Sequence, residues 1–140
     1  MWQKSYSTTV AGVTPSQIWR VWSDIVNRPA WDDDTQWAKA DGPFKNGTTI
    51  TMKPKGWPKT VSMKIVECIP NQSFTDHTKF LLAELYGTHH MEQTDQGLKL
   101  TTIIKVVGPL AWLWRKIVGE DIVATLPRQT ELLVKFAREL

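Results

Sequence analysis

Residues 98–106 alternate between apolar and polar side chains with a period of two, which is the side-chain period of a β-strand. One face of this strand is mostly apolar, and Lys99, Thr101 and Lys105 lie on the other. One buried face and one solvated face are typical of an antiparallel sheet, and the apolar face needs a second layer to cover it. The face that the pattern buries consists of Leu98, Leu100, Thr102, Ile104 and Val106.

The chain after Pro109 is helical in character and can supply that layer. As one straight helix, residues 109–140 would be about 48 Å long, which is longer than a small domain is wide. Gly119 is the expected junction and Pro127 the expected kink, because proline clashes with the carbonyl four residues earlier. The apolar side of the second part, which we expect to lie on the sheet, is formed by Ile122, Leu126, Leu133, Phe136 and Leu140.

The N-terminal segment predicts a strand over residues 2–11 and then a helix. Thr14 is the expected N-cap, Pro15 suits the first helical position, and Gln17 completes a capping box. The chain has eight tryptophans, and three of them lie in or just after this helix. We expect Trp22 and Trp31 to pack in the core, whereas Trp19 lies beside the apolar stripe and its place stays open.

The middle of the chain predicts antiparallel strands joined by turns. The Asn46-Gly47 pair favours a turn that pairs residues 36–41 with residues 48–54. We therefore expect an α+β fold in which residues 1–140 form one domain with about six to seven strands, short helices after the first strand and a long C-terminal helix. The other predicted strands cover residues 61–70, 74–80 and 84–94.

Charge and cysteine content disfavour several classes of protein. The net charge of +3 is spread along the chain, so no basic stripe of the nucleic-acid-binding kind is visible, and we expect no nucleic-acid partner. The single Cys68 cannot form an intramolecular disulfide, and it lacks a neighbouring base in the sequence. The first ten residues lack the apolar core of a signal peptide, so we expect a cytoplasmic protein.

Four stretches carry a resemblance to a known family. They are "PSQIWRVWSDI" from Pro15, "PAWD" from Pro29, "GPFKNGT" from Gly42 and "GPLA" from Gly108. In these stretches, and over essentially its whole length, the chain resembles the START-like (SRPBCC) superfamily and, within it, the small bacterial polyketide cyclase/dehydrase-like proteins. These motifs are signatures of a fold rather than of a reaction.

The resemblance implies a helix-grip fold, in which a curved antiparallel sheet wraps around a long C-terminal helix and leaves a mostly apolar cavity between them. Members bind lipids, sterols, polyketides, hormones or quinones, and some are cyclases or dehydratases. The family has no universal catalytic set, so the resemblance does not decide between a binding protein and an enzyme.

Two strand segments offer polar side chains for such a cavity. In the first, Asp76 and Thr78 share a face with Phe74 and Phe80, which makes Asp76 a candidate general acid or base, although a structural role for this carboxylate is also open. His77 would then face outward.

The second segment contains two adjacent histidines, and strand geometry allows only one of them to point inward. If His90 does, Tyr86 and Glu92 accompany it and His90 becomes a second catalytic candidate. If His89 does, Leu85 and Met91 accompany it. A structural role is also open, with one histidine on the surface and the other buried with its ring nitrogens hydrogen-bonded.

Further ligand contacts are expected from the first strand of the sheet and from the C-terminal helix. Trp37 is a candidate cavity wall. On the helix, Ile122 and Leu126 would supply apolar surface, and Thr125 and Gln129 would either bind a ligand or bond the carbonyls freed near Pro127. We expect no metal and no cofactor, because the sequence contains no spaced set of zinc ligands and no glycine-rich phosphate loop.

The loop "KPKGWPK" from Lys53 combines three lysines with Trp57, a composition that could touch an anionic membrane or a partner protein. We expect a solvated hairpin instead, because so few charges give only marginal membrane binding. The sequence thus predicts a protein that binds a small hydrophobic molecule such as a lipid, a quinone or a polyketide-like aromatic. The alternatives are a cyclase or dehydratase that uses Asp76 and His90, and a protein-interaction module.

Overall fold

The fold is a seven-stranded antiparallel sheet whose inner face packs against helices, as a computed structural model of the chain shows for residues 1–56 and 58–140. The strand order is β1-β7-β6-β5-β4-β3-β2, so β1 and β2 form the two edges. The strands are β1 (Trp2–Val10), β2 (Thr35–Ala40), β3 (Thr49–Pro54), β4 (Val61–Ile69), β5 (Ser73–Phe80), β6 (Ala83–Thr94) and β7 (Gly97–Val107).

Two helical regions accompany the sheet. Helix α1 (Pro15–Ser23) and a 3-10 turn (Arg28–Ala30) follow β1, and α2 (Ala111–Trp114), a π-helical turn (Arg115–Gly119) and α3 (Glu120–Arg138) follow β7. The sheet is curved and α3 is long, which is the predicted helix-grip fold.

Helix α1 begins where the sequence predicts. The hydroxyl of Thr14 accepts a hydrogen bond from the backbone N–H of Gln17, and the side chain of Gln17 accepts one from the backbone N–H of Thr14. Ile18 and Trp22 on its apolar face are buried. Helix α1 therefore fills the space between the sheet and the end of α3, where it contacts α3.

The C-terminal helical region is interrupted at the predicted junction. Gly119 ends the π-helical turn and α3 starts at the next residue, whereas Pro127 lies inside α3 and does not end it. A Cβ atom at Gly119 would lie 2.7 Å from Cζ3 of Trp2, so the absence of a side chain lets the Trp2 ring of β1 pack directly on the helical backbone. The junction thus docks α3 on the edge strand of the sheet.

Strand β7 shows the alternation that its sequence predicts. Leu98, Leu100, Ile104 and Val106 are all buried, and they contribute to two core clusters. The larger cluster joins α1 and the C-terminal half of α3 to the sheet, and the smaller one joins α2 and Leu126 to the other end of it. No helix in the described ranges is long and apolar enough to cross a membrane.

Candidate functional site

A polar pair, made of a buried carboxylate and a partly buried imidazole, lies on the inner face of the sheet. Asp76 of β5 is 8 % exposed, and its Oδ2 atom lies 3.5 Å from Nε2 of His89 on β6. Asp76 pairs in register with Gly87, and Phe74 pairs with His89, so the carboxylate and the imidazole sit one diagonal step apart. On the same face, Asp76 lies between the buried Phe74 and Thr78, and His89 lies between Gly87 and the buried Met91. The pair is therefore a polar spot on a mostly apolar wall.

The imidazole of His89 is held on three sides. Its ring stacks on Phe74 with the centroids 4.5 Å apart and the planes 17° apart, and the ring of Trp22 from α1 lies 6.0 Å away. Nδ1 of His89 is 3.5 Å from the hydroxyl oxygen of Thr102 on β7. His89 thus lies between a carboxylate and a hydroxyl, each at the long end of hydrogen-bond distance.

Gly87 provides the room for the Asp76 carboxylate. A Cβ atom at this position would lie 3.0 Å from Oδ1 and 3.2 Å from Oδ2 of Asp76. Contacts this short are rare for real Cβ atoms, so any other residue at position 87 would press on the carboxylate. Gly87 is not among the residues predicted for the site, and its signal in the sequence is a glycine inside a strand pattern, which often marks a close approach.

Between this wall and the helices, where a ligand cavity was expected, the structure has only a small gap. A gap of about 40 Å³ is bordered by Trp22, Trp31, His89 and Gln129, among others. This volume suffices for a few water molecules at most. The indole Nε1 of Trp31 is buried and has no hydrogen-bond partner among the residues that the structure describes.

A much larger cleft opens where β4 and β5 separate. Strand β4 pairs with β5 from Lys64 onward, but its first residues pair only with β3, and no partner on β4 faces the last residues of β5. The cleft has a volume of about 490 Å³. Its lining is formed by Thr49, Lys59, Thr60, Val61, Ser62, Met63, Lys64, His77, Thr78, Lys79 and Phe80.

The cleft leads toward the polar pair. Thr78 and Phe80 lie on the same face of β5 as Asp76, and Thr78, which is buried, borders the cleft. Asp76 is two residues further along this face, a distance of about 7 Å in a strand. The side chains that border the cleft include apolar Val61 and Met63 and three lysines, so the site joins an apolar surface to cations at its border.

Four candidate site residues point away from the interior. Trp37 lies beside the buried Ala38 on the opposite face of β2, is 38 % exposed, and contacts Lys39 rather than a cavity. On β6, alternation places Tyr86, His90 and Glu92 on the outer face, because Leu85, Gly87 and Met91 are buried. His89 is the histidine that faces inward. Periodicity alone left this open, because both faces of the segment offered large side chains.

The outer face of the sheet carries its own aromatic cluster. His77 faces outward as expected, its Nε2 lies 3.0 Å from Oε1 of Glu84, and its ring stacks on Tyr86 with the centroids 4.6 Å apart. The ammonium of Lys105 lies 5.1 Å from the centre of the Tyr86 ring. Tyr86 therefore belongs to a surface network and does not reach the interior.

The candidates on α3 divide into apolar and polar contacts. Leu126 is buried and Ile122 packs against the smaller core cluster, so both face the sheet. The hydroxyl of Thr125 donates to the carbonyl of Ile122 at 2.8 Å, which is a local bond within the helix and not one to the Val123 carbonyl that Pro127 leaves without a donor. Gln129 borders the interior gap, and its Nε2 lies 3.4 Å from Oδ2 of Asp34.

Three consecutive carboxylates, Asp32, Asp33 and Asp34, lie within 4.8 Å of one another. Each has a partner in the chain: Asp32 pairs with Arg28 at 2.9 Å, Asp33 with Arg128, and Asp34 with Gln129. Their contacts tie the loop after the 3-10 turn to α3, so we assign them a structural role. Trp57 of the lysine-rich loop lies outside the described residues.

No family model matches the chain, and no curated protein does. Solved structures match it well. The di-domain ARO/CYC protein StfQ from the steffimycin biosynthetic pathway aligns with a TM-score of 0.78 and 16 % identity, over 98 % of this chain and 50 % of that one. The hypothetical protein jhp0584 from Helicobacter pylori aligns with a TM-score of 0.76 and 14 % identity, over 97 % and 88 % of the two chains. The protein Ara h 8.0201 aligns with a TM-score of 0.72 and 15 % identity, over 99 % of both chains.

The chain has the START-like, helix-grip fold. At identities of this size the likeness concerns the fold, and the residues of a site have to be judged from this chain itself. The inner sheet face of this chain carries Asp76, His89 and Thr102, with Gly87 leaving the space that the carboxylate occupies.

Proposed function

We propose that this START-like chain binds a small hydrophobic molecule that carries a polar group, such as a lipid, a quinone or a polyketide-like aromatic. The observation that carries the proposal is the Asp76–His89 pair on a mostly apolar wall, about 7 Å along the strand from the cleft. Isolated polar groups in apolar pockets commonly fix the orientation of a ligand, while the apolar walls supply affinity.

The two spaces differ in what they can hold. The cleft of about 490 Å³ falls within the range of small-molecule sites, roughly 300 to 1,000 Å³, whereas the gap of about 40 Å³ does not. The ligand body would therefore occupy the cleft, against Val61, Met63 and Phe80. Its polar group would point past Thr78 toward Asp76 and His89.

The first experiment is native mass spectrometry of the protein purified from its own host, followed by denaturing extraction and identification of any retained molecule. A discrete hydrophobic compound bound in a one-to-one ratio is the expected result. Titration of the empty protein with that compound then gives the affinity for the variants.

Asp76→Asn and His89→Gln should each weaken binding about tenfold or more, because each removes a polar contact that is shielded from water. His90→Gln is the matched control, since His90 lies on the outer face and should leave the affinity unchanged. Equal affinities for all four proteins would refute the assignment of the pair.

A second candidate function is an enzyme of the cyclase or dehydratase class. The favouring observation is that His89 lies between a carboxylate and a hydroxyl, an arrangement that can hold an imidazole in the orientation needed to move a proton. In this case His89 would remove a proton from a carbon next to a carbonyl group of the bound molecule. The resulting enolate would expel a β-hydroxyl group, which leaves as water with the proton that the imidazolium returns.

Incubation of the protein with its extracted ligand, or with linear polyketide-like precursors, should then yield a product of lower mass by one water. Asp76→Asn would abolish product formation while a complex is still detected. If the bound molecule is recovered unchanged after prolonged incubation with wild-type protein, the binding function stands alone.

A further inference from the structure

We propose that the end of the molecule formed by the β5–β6 turn and the α2 region docks on the surface of an anionic lipid bilayer. Four large apolar side chains are exposed there. We call this group the apolar tip, and its members are Leu81 (70 % exposed), Leu82 (59 %), Trp112 (57 %) and Ile117 (43 %).

The members of the tip come from two elements that are fastened together. The indole Nε1 of Trp114 donates to the carbonyl of Leu81 at 2.8 Å, and the backbone N–H of Leu110 donates to the carbonyl of Leu82 at 2.9 Å. Register supports the same placement, because β6 starts where β7 ends, with Glu84 opposite Val107. The turn and α2 therefore form one surface.

The backbone conformation of this turn is unfavourable for leucine at position 82. Its φ angle is 53°, in the left-handed region that asparagine and glycine tolerate and that leucine rarely adopts. A leucine that is both strained and exposed gains nothing from the fold, since its side chain is not buried. Unfavourable backbone and solvent exposure at one position point to a role outside the folded chain.

The charges around the tip fit an anionic surface. Lys79 precedes the turn, and Arg115 and Lys116 follow Trp112, with the Lys116 ammonium 6.0 Å from the Trp112 ring centre. In the described part of the chain, none of these three cations forms an ion pair, and Nε of Arg115 is buried without a hydrogen-bond partner there. Glu84 lies opposite Lys79 in the register of β5 and β6, but its carboxylate contacts His77. The other acidic residues near the tip are Glu120 and Asp121 at the start of α3.

Tryptophan and leucine flanked by lysine and arginine are the combination that anchors proteins at a membrane interface. Apolar insertion and electrostatic attraction act together there, which distinguishes the tip from a loop that offers charge alone. The tip also adjoins the cleft, because Phe80 borders the cleft and stacks on Trp114 with the ring centroids 4.4 Å apart.

The test is sedimentation of the full chain with vesicles of phosphatidylcholine and phosphatidylserine at a ratio of about two to one, with pure phosphatidylcholine vesicles for comparison. The wild-type chain should bind the mixed vesicles more tightly than the neutral ones, and added salt should weaken that binding. Leu82→Asn and Trp112→Gln should each lower the affinity about fivefold to tenfold.

Asparagine suits the left-handed conformation, so Leu82→Asn removes the apolar side chain without adding strain. Val66→Asn is the matched control, because Val66 is an exposed apolar residue on β4, outside the tip. Circular dichroism and urea unfolding verify that all three variants are folded.

No binding to either vesicle, or equal binding by wild type and both tip variants, would overturn the proposal, as would an equal loss in Val66→Asn. Analytical ultracentrifugation measures whether a second copy of the chain binds the tip instead of a bilayer. A wild-type dimer that Leu82→Asn converts to a monomer, without vesicle binding, would assign the tip to a second copy of the chain.

Discussion

The space for the Asp76 carboxylate depends on a single absent atom, the Cβ that Gly87 lacks. Glycine in a strand normally weakens it, so replacing Gly87 by alanine would be favourable if space were available. Here the added methyl group would sit 3.0 Å from the Asp76 carboxylate, inside a wall where His89 and Phe74 limit movement. Crowding of this kind outweighs the gain in strand propensity, because overpacking a core costs about 1 to 3 kcal/mol.

Gly87→Ala should therefore lower the free energy of unfolding by about 1 kcal/mol in urea titrations. Gly42→Ala is the matched control, since no atom lies within 4 Å of a Cβ at that position and its stability should change by less than about 0.5 kcal/mol. In the double variant Gly87→Ala/Asp76→Ala the effect of the alanine at position 87 should vanish. A stabilised Gly87→Ala protein would contradict the close packing on Asp76.

Cys68 gives a second prediction for a single residue. Burial raises the pKa of the Cys68 thiol above its ordinary value, because desolvation disfavours the thiolate. A raised pKa leaves less thiolate at a given pH. Alkylation by iodoacetamide near neutral pH should be slower than for a free cysteine, and the pH midpoint of the reaction should be higher. A midpoint below that of free cysteine, measured by mass spectrometry, would show an activated thiol instead.

Strand β1 packs against the C-terminal helical region through the contact of Trp2 with Gly119 in the π-helical turn. In a helix, alanine is normally favoured over glycine by about 1 kcal/mol. At Gly119 the sign should reverse, because the methyl group would lie 2.7 Å from the Trp2 ring and the edge strand would have to move. Gly119→Ala should lower the melting temperature, and Trp2→Leu should remove that penalty when the two changes are combined. Additive effects in this double-mutant cycle would argue against direct contact.

The separation of β4 and β5 has a consequence for the whole molecule. Amides of residues 78–80 that point toward β4 lack the strand partner that the first half of β5 has. In hydrogen exchange, they should lose protection much earlier than the amides of Phe74 and Asp76, which lie in the paired part of the sheet. Uniform protection along β5 would mean that the cleft is closed in solution. A bound ligand should slow exchange at residues 78–80.

The helices and strands of this protein follow from local sequence patterns, because periodicity and capping signals act over short distances. Alternation in residues 98–106, the capping box at Thr14 and Gln17, and the junction at Gly119 all lie where the sequence predicts. Asp76 and Thr78 lie on the buried face of β5, in phase with Phe74, as expected.

Which faces of these elements pack together depends on the three-dimensional arrangement of the strands and helices. Periodicity shows that His89 and His90 point in opposite directions, but the register of β6 with its neighbours sets which one is inside, and a shift of one residue reverses the answer. The same holds for Trp37, the space that Gly87 leaves for Asp76, and the cleft between β4 and β5. Each of these depends on contacts between residues distant in sequence, which local patterns do not encode.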